Sequence, residues 1–143
     1  MSVAAEDLNF ANGMAITADG STLLVAESIG QCITAFTLAE DGTLTDRRLW
    51  AQVEGFPDGI AVDRDNGVWF ASPLSNHFTR VVEGGEVTDT VEAPGPHAIA
   101  CALGGSDGRT LFMLSATTLG DRGQAVAKRG AAVTAAQVAV AVE

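Results

Sequence analysis

The chain has 143 residues, 47% of them hydrophobic and 18% charged, and its formal net charge is −10. This length suits one domain, and the composition is that of a folded protein rather than a disordered one. The excess of carboxylates repels phosphate backbones and anionic lipids, so the charge argues against nucleic-acid and membrane partners and favours cations. The sequence also lacks an apolar run of about 18 residues that could form a transmembrane helix.

The two cysteines and the N-terminus bear on the cellular compartment. Cys32 and Cys101 lie in separate apolar runs without CxxC spacing, so we expect two buried, reduced thiols. The first residues lack the basic segment and the apolar core of a secretory signal. Both observations favour a cytoplasmic location.

Short apolar or alternating runs follow one another along the chain, separated by Gly-containing turn pairs such as Asp19-Gly20 and Asp41-Gly42. These pairs supply the positive φ that tight turns between antiparallel strands require. Little before residue 120 has helical periodicity, so the chain is predicted to be all-β. The predicted strands are Met14–Thr17, Leu23–Ala26, Cys32–Leu38, Ile60–Val62, Val68–Ala71, Phe78–Val82, Val87–Val91, Ile99–Leu103 and Leu111–Leu114.

One pattern occurs three times. Asn12-Gly13 precedes an apolar strand, a turn and a second strand, and Asp58-Gly59 introduces the same series again. His97 stands at the corresponding place before a third copy. A period of about 40–45 residues with four short strands is typical of a β-propeller blade. The alternative is a β-sandwich whose hairpins resemble one another by chance.

The repeat predicts a single partial propeller domain over residues 1–143, with blades at about 10–53, 56–93 and 96–142. Residues 3–8 are predicted to be the outer strand of a preceding blade. Gln137–Val142 alternates like a strand, whereas residues 117–136 receive no assignment. Because closed propellers have about four to eight blades, three blades should leave two uncovered sheet faces.

The blade geometry predicts where the marked residues meet. The first strand of a blade lines the central channel, so Asn12, Asp58 and His97 are expected to converge at one mouth of it. Amide and carboxylate oxygens are hard ligands suited to Ca²⁺ or Mg²⁺ and acceptable to Zn²⁺ or Mn²⁺. Two such ligands do not fill a calcium shell of about 6–8 oxygens, so other groups would have to complete it.

The second strand of each blade returns to the same mouth, which adds candidates for a substrate pocket. Glu27 and Ser72 end two such strands, with Ser28 next to Glu27, and His77 belongs to the loop that follows Ser72. Each has an ordinary alternative. Glu27 can serve structurally, His77 and His97 can be plain loop residues, and Ser72 lacks the GxSxG elbow of a serine hydrolase.

Three segments carry a family resemblance. Residues 12–27 contain NGMAI and DGSTLLVAE, residues 57–71 contain PDGIAVD and GVWFA, and residues 101–112 contain CALGG and TLF. In this order and spacing they resemble three markers of the gluconolactonase and regucalcin (senescence marker protein) family. The resemblance implies a six-bladed propeller with one divalent metal ion at the channel mouth. Calcium is the first candidate for this ion, and zinc, magnesium and manganese are the others.

The resemblance also implies an activity. Many family members hydrolyse sugar lactones or related esters, with the metal ion polarising the lactone carbonyl for attack by water. Asn12 and Asp58 match the positions of metal ligands, and Asp58 is in addition the candidate general base. The family's glutamate ligand and its substrate-contacting Arg and Asn have no counterpart here. The chain therefore resembles the C-terminal half of such a protein.

Two interpretations follow. The chain is the C-terminal half of a metal-dependent lactonase, or it is a non-catalytic propeller segment that binds a metal ion or a partner. In the second case it is inactive without its N-terminal half or a second copy. Since three blades are half of six, two copies are also able to complete a ring as a homodimer.

Overall fold

The computed structural model describes residues 3–120 and 122–142, and these residues form eleven strands and one helix. The strands are β1 (Ala11–Ile16), β2 (Thr22–Glu27), β3 (Cys32–Leu38), β4 (Leu44–Gln52), β5 (Ile60–Val62), β6 (Val68–Ala71), β7 (His77–Val81), β8 (Val87–Glu92), β9 (His97–Gly104), β10 (Thr110–Ala116) and β11 (Ala131–Gln137). The helix is α1 (Arg122–Lys128), and no helix in the described ranges is long and apolar enough to cross a bilayer. The all-β prediction is confirmed.

Within the described residues the strands form three antiparallel sheets. Sheet 1 contains β1 to β4 and sheet 2 contains β5 to β8, each with neighbours in chain order. Sheet 3 has the order β11-β10-β9. The turn pairs make these meanders possible: Gly20 and Gly42 have φ values of 73° and 84° in the hairpins of sheet 1.

The sheets pack face to face, and strand β6 shows how. Val68 and Phe70 belong to the apolar cluster between sheets 1 and 2, whereas Trp69 and Ala71 belong to the cluster between sheets 2 and 3. Alternate side chains of one strand point to opposite faces, so a strand between two sheets is apolar at every position. This explains the continuous run VWFA, in which each large side chain contributes roughly 1.5–3 kcal/mol by burial.

A buried ion pair reinforces sheet 2. The Asp63 carboxylate, after β5, accepts hydrogen bonds from Arg80 Nε at 2.6 Å and Nη2 at 3.1 Å. It also accepts the backbone N–H groups of Asp65 and Gly67. The hydrogen bond to Asp63 raises the pKa of Arg80 above its ordinary value, whereas burial acts to lower it. The pair joins the β5–β6 turn to β7.

Residues 3–8 are not a strand, although they were predicted to be the outer strand of a preceding blade. They run beside sheet 1, where Arg47 donates from Nη1 to the Glu6 carbonyl and from Nη2 to the Asp7 carbonyl. A strand requires a neighbour to complete its ladder of hydrogen bonds. The segment instead uses a side chain of β4.

The last strand was also placed wrongly. Gln137–Val142 was predicted to be a strand, but β11 is Ala131–Gln137 and pairs with β10 along its whole length. The following residues bond to turns instead, since Val138 N–H donates to the Arg109 carbonyl and Val142 N–H to the Gly108 carbonyl. The alanines of both segments have no strong strand preference, so pairing with β10 decides between them.

Candidate functional site

The first strand of each sheet begins with a β-bulge. In sheet 1 the register shifts between Ala11 and Met14, so Asn12 and Gly13 together oppose Ala26. A bulge of this kind inserts one extra residue and redirects its side chain.

Sheets 2 and 3 repeat the bulge. In sheet 2, Asp58 N–H donates to the Ala71 carbonyl and Ala71 N–H donates to the Gly59 carbonyl, so two residues again oppose one. In sheet 3, Ala100 pairs with Leu114 and Ala98 with Ser115, which leaves Ile99 as the extra residue.

This register corrects the expected position of His97. Ile99, and not His97, holds the place in sheet 3 that Asn12 and Asp58 hold in sheets 1 and 2. His97 lies two residues earlier, and its Nδ1 is 2.7 Å from the Pro73 carbonyl oxygen. It therefore contacts the loop after β6 rather than occupying the third bulge.

The bulge residues of adjacent sheets are joined by backbone hydrogen bonds. Gly13 N–H donates to the Asp58 carbonyl at 3.0 Å, and Gly59 N–H donates to the Ile99 carbonyl at 3.1 Å. A Cβ on Gly13 would lie 2.3 Å from the Asp58 oxygen, and one on Gly59 would lie 2.4 Å from Ala100 Cβ. Glycine is thus required here because the inner strands approach so closely.

These bonds bring Asn12 and Asp58 side by side. Burial raises the pKa of Asp58 above its usual value, while a hydrogen bond from the Asn12 side chain acts in the opposite direction. Asn12 Nδ2 also lies 3.2 Å from Ser28 Oγ, which donates to the Pro57 carbonyl at 2.7 Å. Ser28 therefore fixes the orientation of the Asn12 amide.

The donor atoms of Asn12 and Asp58 suit a cation in part. One carboxylate and one amide are suitable oxygen ligands for Ca²⁺ or Mg²⁺. In residues 3–120 and 122–142, no group of three or more His, Cys, Asp or Glu side chains could hold a metal ion. Asn12 and Asp58 therefore fit part of a ligand shell.

Glu27 is bound into sheet 1. Its side chain is 2% exposed, and its carboxylate accepts hydrogen bonds from Asn9 N–H, Thr34 Oγ1 and Arg47 Nη2. Burial by itself raises the pKa of Glu27, but these hydrogen bonds and the charge of Arg47 hold it below its usual value. The carboxylate anchors the N-terminal segment in this structure.

Ser72 and His77 line a different place. They border a cavity of about 760 Å³ between sheets 1 and 2, together with Phe56 and Phe70. Ser72 Oγ accepts the Phe56 N–H at 3.1 Å, and His77 Nε2 lies 3.4 Å from a carboxylate oxygen of Glu92. The pocket candidates therefore lie in three places: Glu27 within sheet 1, Ser72 and His77 at the cavity, and His97 against the loop after β6. Asn12 and Asp58, the candidate metal ligands, are the pair that the structure brings into direct contact.

The cysteines are not joined to each other, and both are partly exposed, whereas the sequence predicted two buried thiols. Cys101 Sγ lies 3.6 Å from the Trp69 carbonyl oxygen, and burial raises its pKa to about 12. Cys32 is partly exposed, and burial raises its pKa as well. Neither thiol has the lowered pKa of a reactive nucleophile.

Antiparallel meanders that pack face to face, with their first strands meeting edge to edge at the bulges, define a β-propeller protein. The sequence also identifies the family. The family model of the SMP-30/Gluconolactonase/LRE-like region matches residues 1–117, so the chain belongs to this family.

Known relatives extend well beyond the segment that this chain matches. It is 29% identical over 117 residues to 6-deoxy-6-sulfogluconolactonase of Pseudomonas putida, covering 79% of this chain and 40% of that protein. It is 26% identical to regucalcin of Danio rerio, and the match covers 87% of this chain and 43% of that protein. The solved structure of a luciferin-regenerating enzyme shares the fold, with a TM-score of 0.80 and 20% identity. That match covers 96% of this chain and 48% of the enzyme's chain. The chain spans less than half the length of these three proteins.

Proposed function

We propose that this chain is the C-terminal half of a divalent-metal-dependent hydrolase that opens sugar lactones or related esters. The observation that carries the proposal is the contact between Asn12 and Asp58 where sheets 1 and 2 meet. The names of relatives add support, because one of them is a sulfogluconolactonase.

The residues of the site have distinct roles in this reaction. Asn12 and Asp58 hold the cation, calcium as the first candidate and zinc, magnesium or manganese as the others. When bound, such an ion supplies Lewis-acid polarisation of the lactone carbonyl. Ser28 restrains the Asn12 amide, because its Oγ accepts a hydrogen bond from Asn12 Nδ2.

Asp58 is also the candidate general base. Its carboxylate accepts a proton from the attacking water, whose oxygen bonds to the carbonyl carbon as the ring C–O bond breaks. The ring oxygen takes up that proton from Asp58 and leaves as a hydroxyl group, so the product is a hydroxy acid. A cation held by Asp58 would lower the pKa of its carboxyl, so in this reaction Asp58 is a weak base and its role as ligand is the stronger one.

Calcium titration by calorimetry tests the cation site. We expect the wild-type chain to release binding heat and Asp58→Asn to lose it. Asp41→Asn removes the same charge from an exposed hairpin and should bind as the wild type does. Equal binding by all three proteins would show that Asp58 is not a ligand.

Hydrolysis of an aldonolactone, followed by acid release with calcium present, tests the activity. Turnover that Asp58→Asn abolishes and Asp41→Asn preserves would support the lactonase. If the wild-type chain binds calcium but shows no turnover at high protein concentration, the alternative is favoured: a non-catalytic segment that requires its N-terminal half or a second copy. The second candidate is favoured because the described residues contain no group of three or more His, Cys, Asp or Glu side chains that could hold a metal ion.

A further inference from the structure

The outer face of sheet 3 is apolar and exposed. Phe112 and Leu114 on β10 are 41% and 44% exposed, and Val133, the partner of Leu114 on β11, is 66% exposed. Ala102 and Ala135 lie on either side of Phe112 in the register. These residues form two cross-strand rows without a charged side chain.

Sheets 1 and 2 bury the equivalent face. An alanine of the first strand pairs with a large residue of the second strand in each sheet; the pairs are Ala15–Leu24, Ala61–Trp69 and Ala102–Phe112. Leu24 and Trp69 are 0% exposed because the next sheet covers them. Phe112 occupies the same place without such a cover among the described residues.

The other end of the stack shows the complementary face. Met14, Ile60 and Cys101 are equivalent by register, since they pair with Val25, Phe70 and Met113. Ile60 packs against sheet 1, and Cys101 packs in the cluster with sheet 2. Met14, at the same position of sheet 1, is 70% exposed.

We propose that, where the chain stands without an N-terminal half, these two faces cover each other between two copies of it. Phe112 and Leu114 of one copy pack on Met14 of the other, and the same contact forms a second time by two-fold symmetry. The argument for a second copy is continuity, because each face is one that the chain already buries twice within itself. Three sheets also match 48% of a solved chain with this fold, so two copies supply the number that closes a ring.

Ala100 gives the interface a distinguishing feature. It holds the place of Gly13 and Gly59, whose N–H groups bond to the next sheet. A Cβ at Gly13 would overlap the next carbonyl oxygen, so the methyl group of Ala100 keeps the two copies farther apart at the inner strands. Ala100→Gly should therefore strengthen self-association several-fold.

Sedimentation equilibrium in the micromolar range tests the proposal without reference to lactone chemistry. The wild-type chain should have the mass of two chains and Leu114→Lys the mass of one. Val126→Lys also replaces an apolar residue with lysine, at a position of α1 that is 68% exposed, and this variant should keep the mass of two chains. A wild-type monomer, an open-ended series of larger species, or a Leu114→Lys dimer would overturn the closed ring.

Cross-linking keeps the test decisive if Leu114→Lys fails to fold. Two differently tagged chains, one with Met14→Cys and one with Leu114→Cys, are mixed in a Cys32→Ser background and treated with a short bis-maleimide. A covalent pair carrying both tags is expected. The same yield from Met14→Cys mixed with Val126→Cys would contradict the proposed contact. Loss of lactonase activity has no bearing on either result.

Discussion

Gly13 is the residue whose replacement should disturb the site most directly. Gly13→Ala places a Cβ 2.3 Å from a backbone oxygen of the next sheet, which cannot move without separating β1 from β5. We expect a loss of about 1–3 kcal/mol in the free energy of unfolding, as for overpacked cores. Gly104→Ala is the matched control, because its Cβ would meet only Phe112, at 3.6 Å. Urea unfolding of both variants measures the difference, and equal losses would disprove the close-approach argument.

Asp63 is a structural residue rather than a site residue, although it stands in the repeated motif. Asp63→Ala leaves Arg80 buried without its partner, so we expect a loss of about 3–5 kcal/mol in the free energy of unfolding. Asp65→Ala, at the exposed pair with Arg64, should cost less than about 1 kcal/mol. Thermal or urea unfolding checks both, and a mild effect of Asp63→Ala would mean that water reaches Arg80.

Sequence spacing predicted the position of two candidate site residues correctly and that of a third wrongly. Asn12 and Asp58 stand at the same step of a repeated pattern, and the register puts them in adjacent bulges. His97 was aligned by counting residues, but the bulge residue of sheet 3 is Ile99. A bulge has no side-chain signature, so only hydrogen-bond pairing reveals which residue is the extra one.

At the scale of elements, turn chemistry and strand alternation were strong predictors. Cys32–Leu38, Ile60–Val62 and Val68–Ala71 were predicted with the bounds that the structure shows. The prediction failed for residues 3–8 and for Gln137–Val142. In both segments the conformation depends on which neighbour is available for pairing, and a single sequence does not state this.

The N-terminal segment should detach from sheet 1 as the pH falls. The folded pKa of Glu27 lies below its unfolded value of about 4.3, so its ionised form adds stability above that pH. This contribution is lost as the pH falls through the folded pKa, because protonation weakens the bonds to Asn9 and Arg47. Hydrogen exchange should show the Asn9 amide losing protection in acid, and at neutral pH in Glu27→Gln. Glu86→Gln, at an exposed turn, is the control, and unchanged exchange in Glu27→Gln would refute the anchoring role.

For the molecule as a whole, apolar complementarity and net charge act in opposite directions on assembly. Each copy carries a formal charge of −10, so two copies repel each other at low ionic strength. Salt shortens the screening length from about 30 Å at 0.01 M to about 10 Å at 0.1 M, while contacts such as Phe112 on Met14 are insensitive to this change. Dimerisation of the wild-type chain should therefore strengthen with added salt, as measured by sedimentation. Weakening with salt would mean that attraction between charged groups holds the copies together, and the apolar faces would then not be the interface.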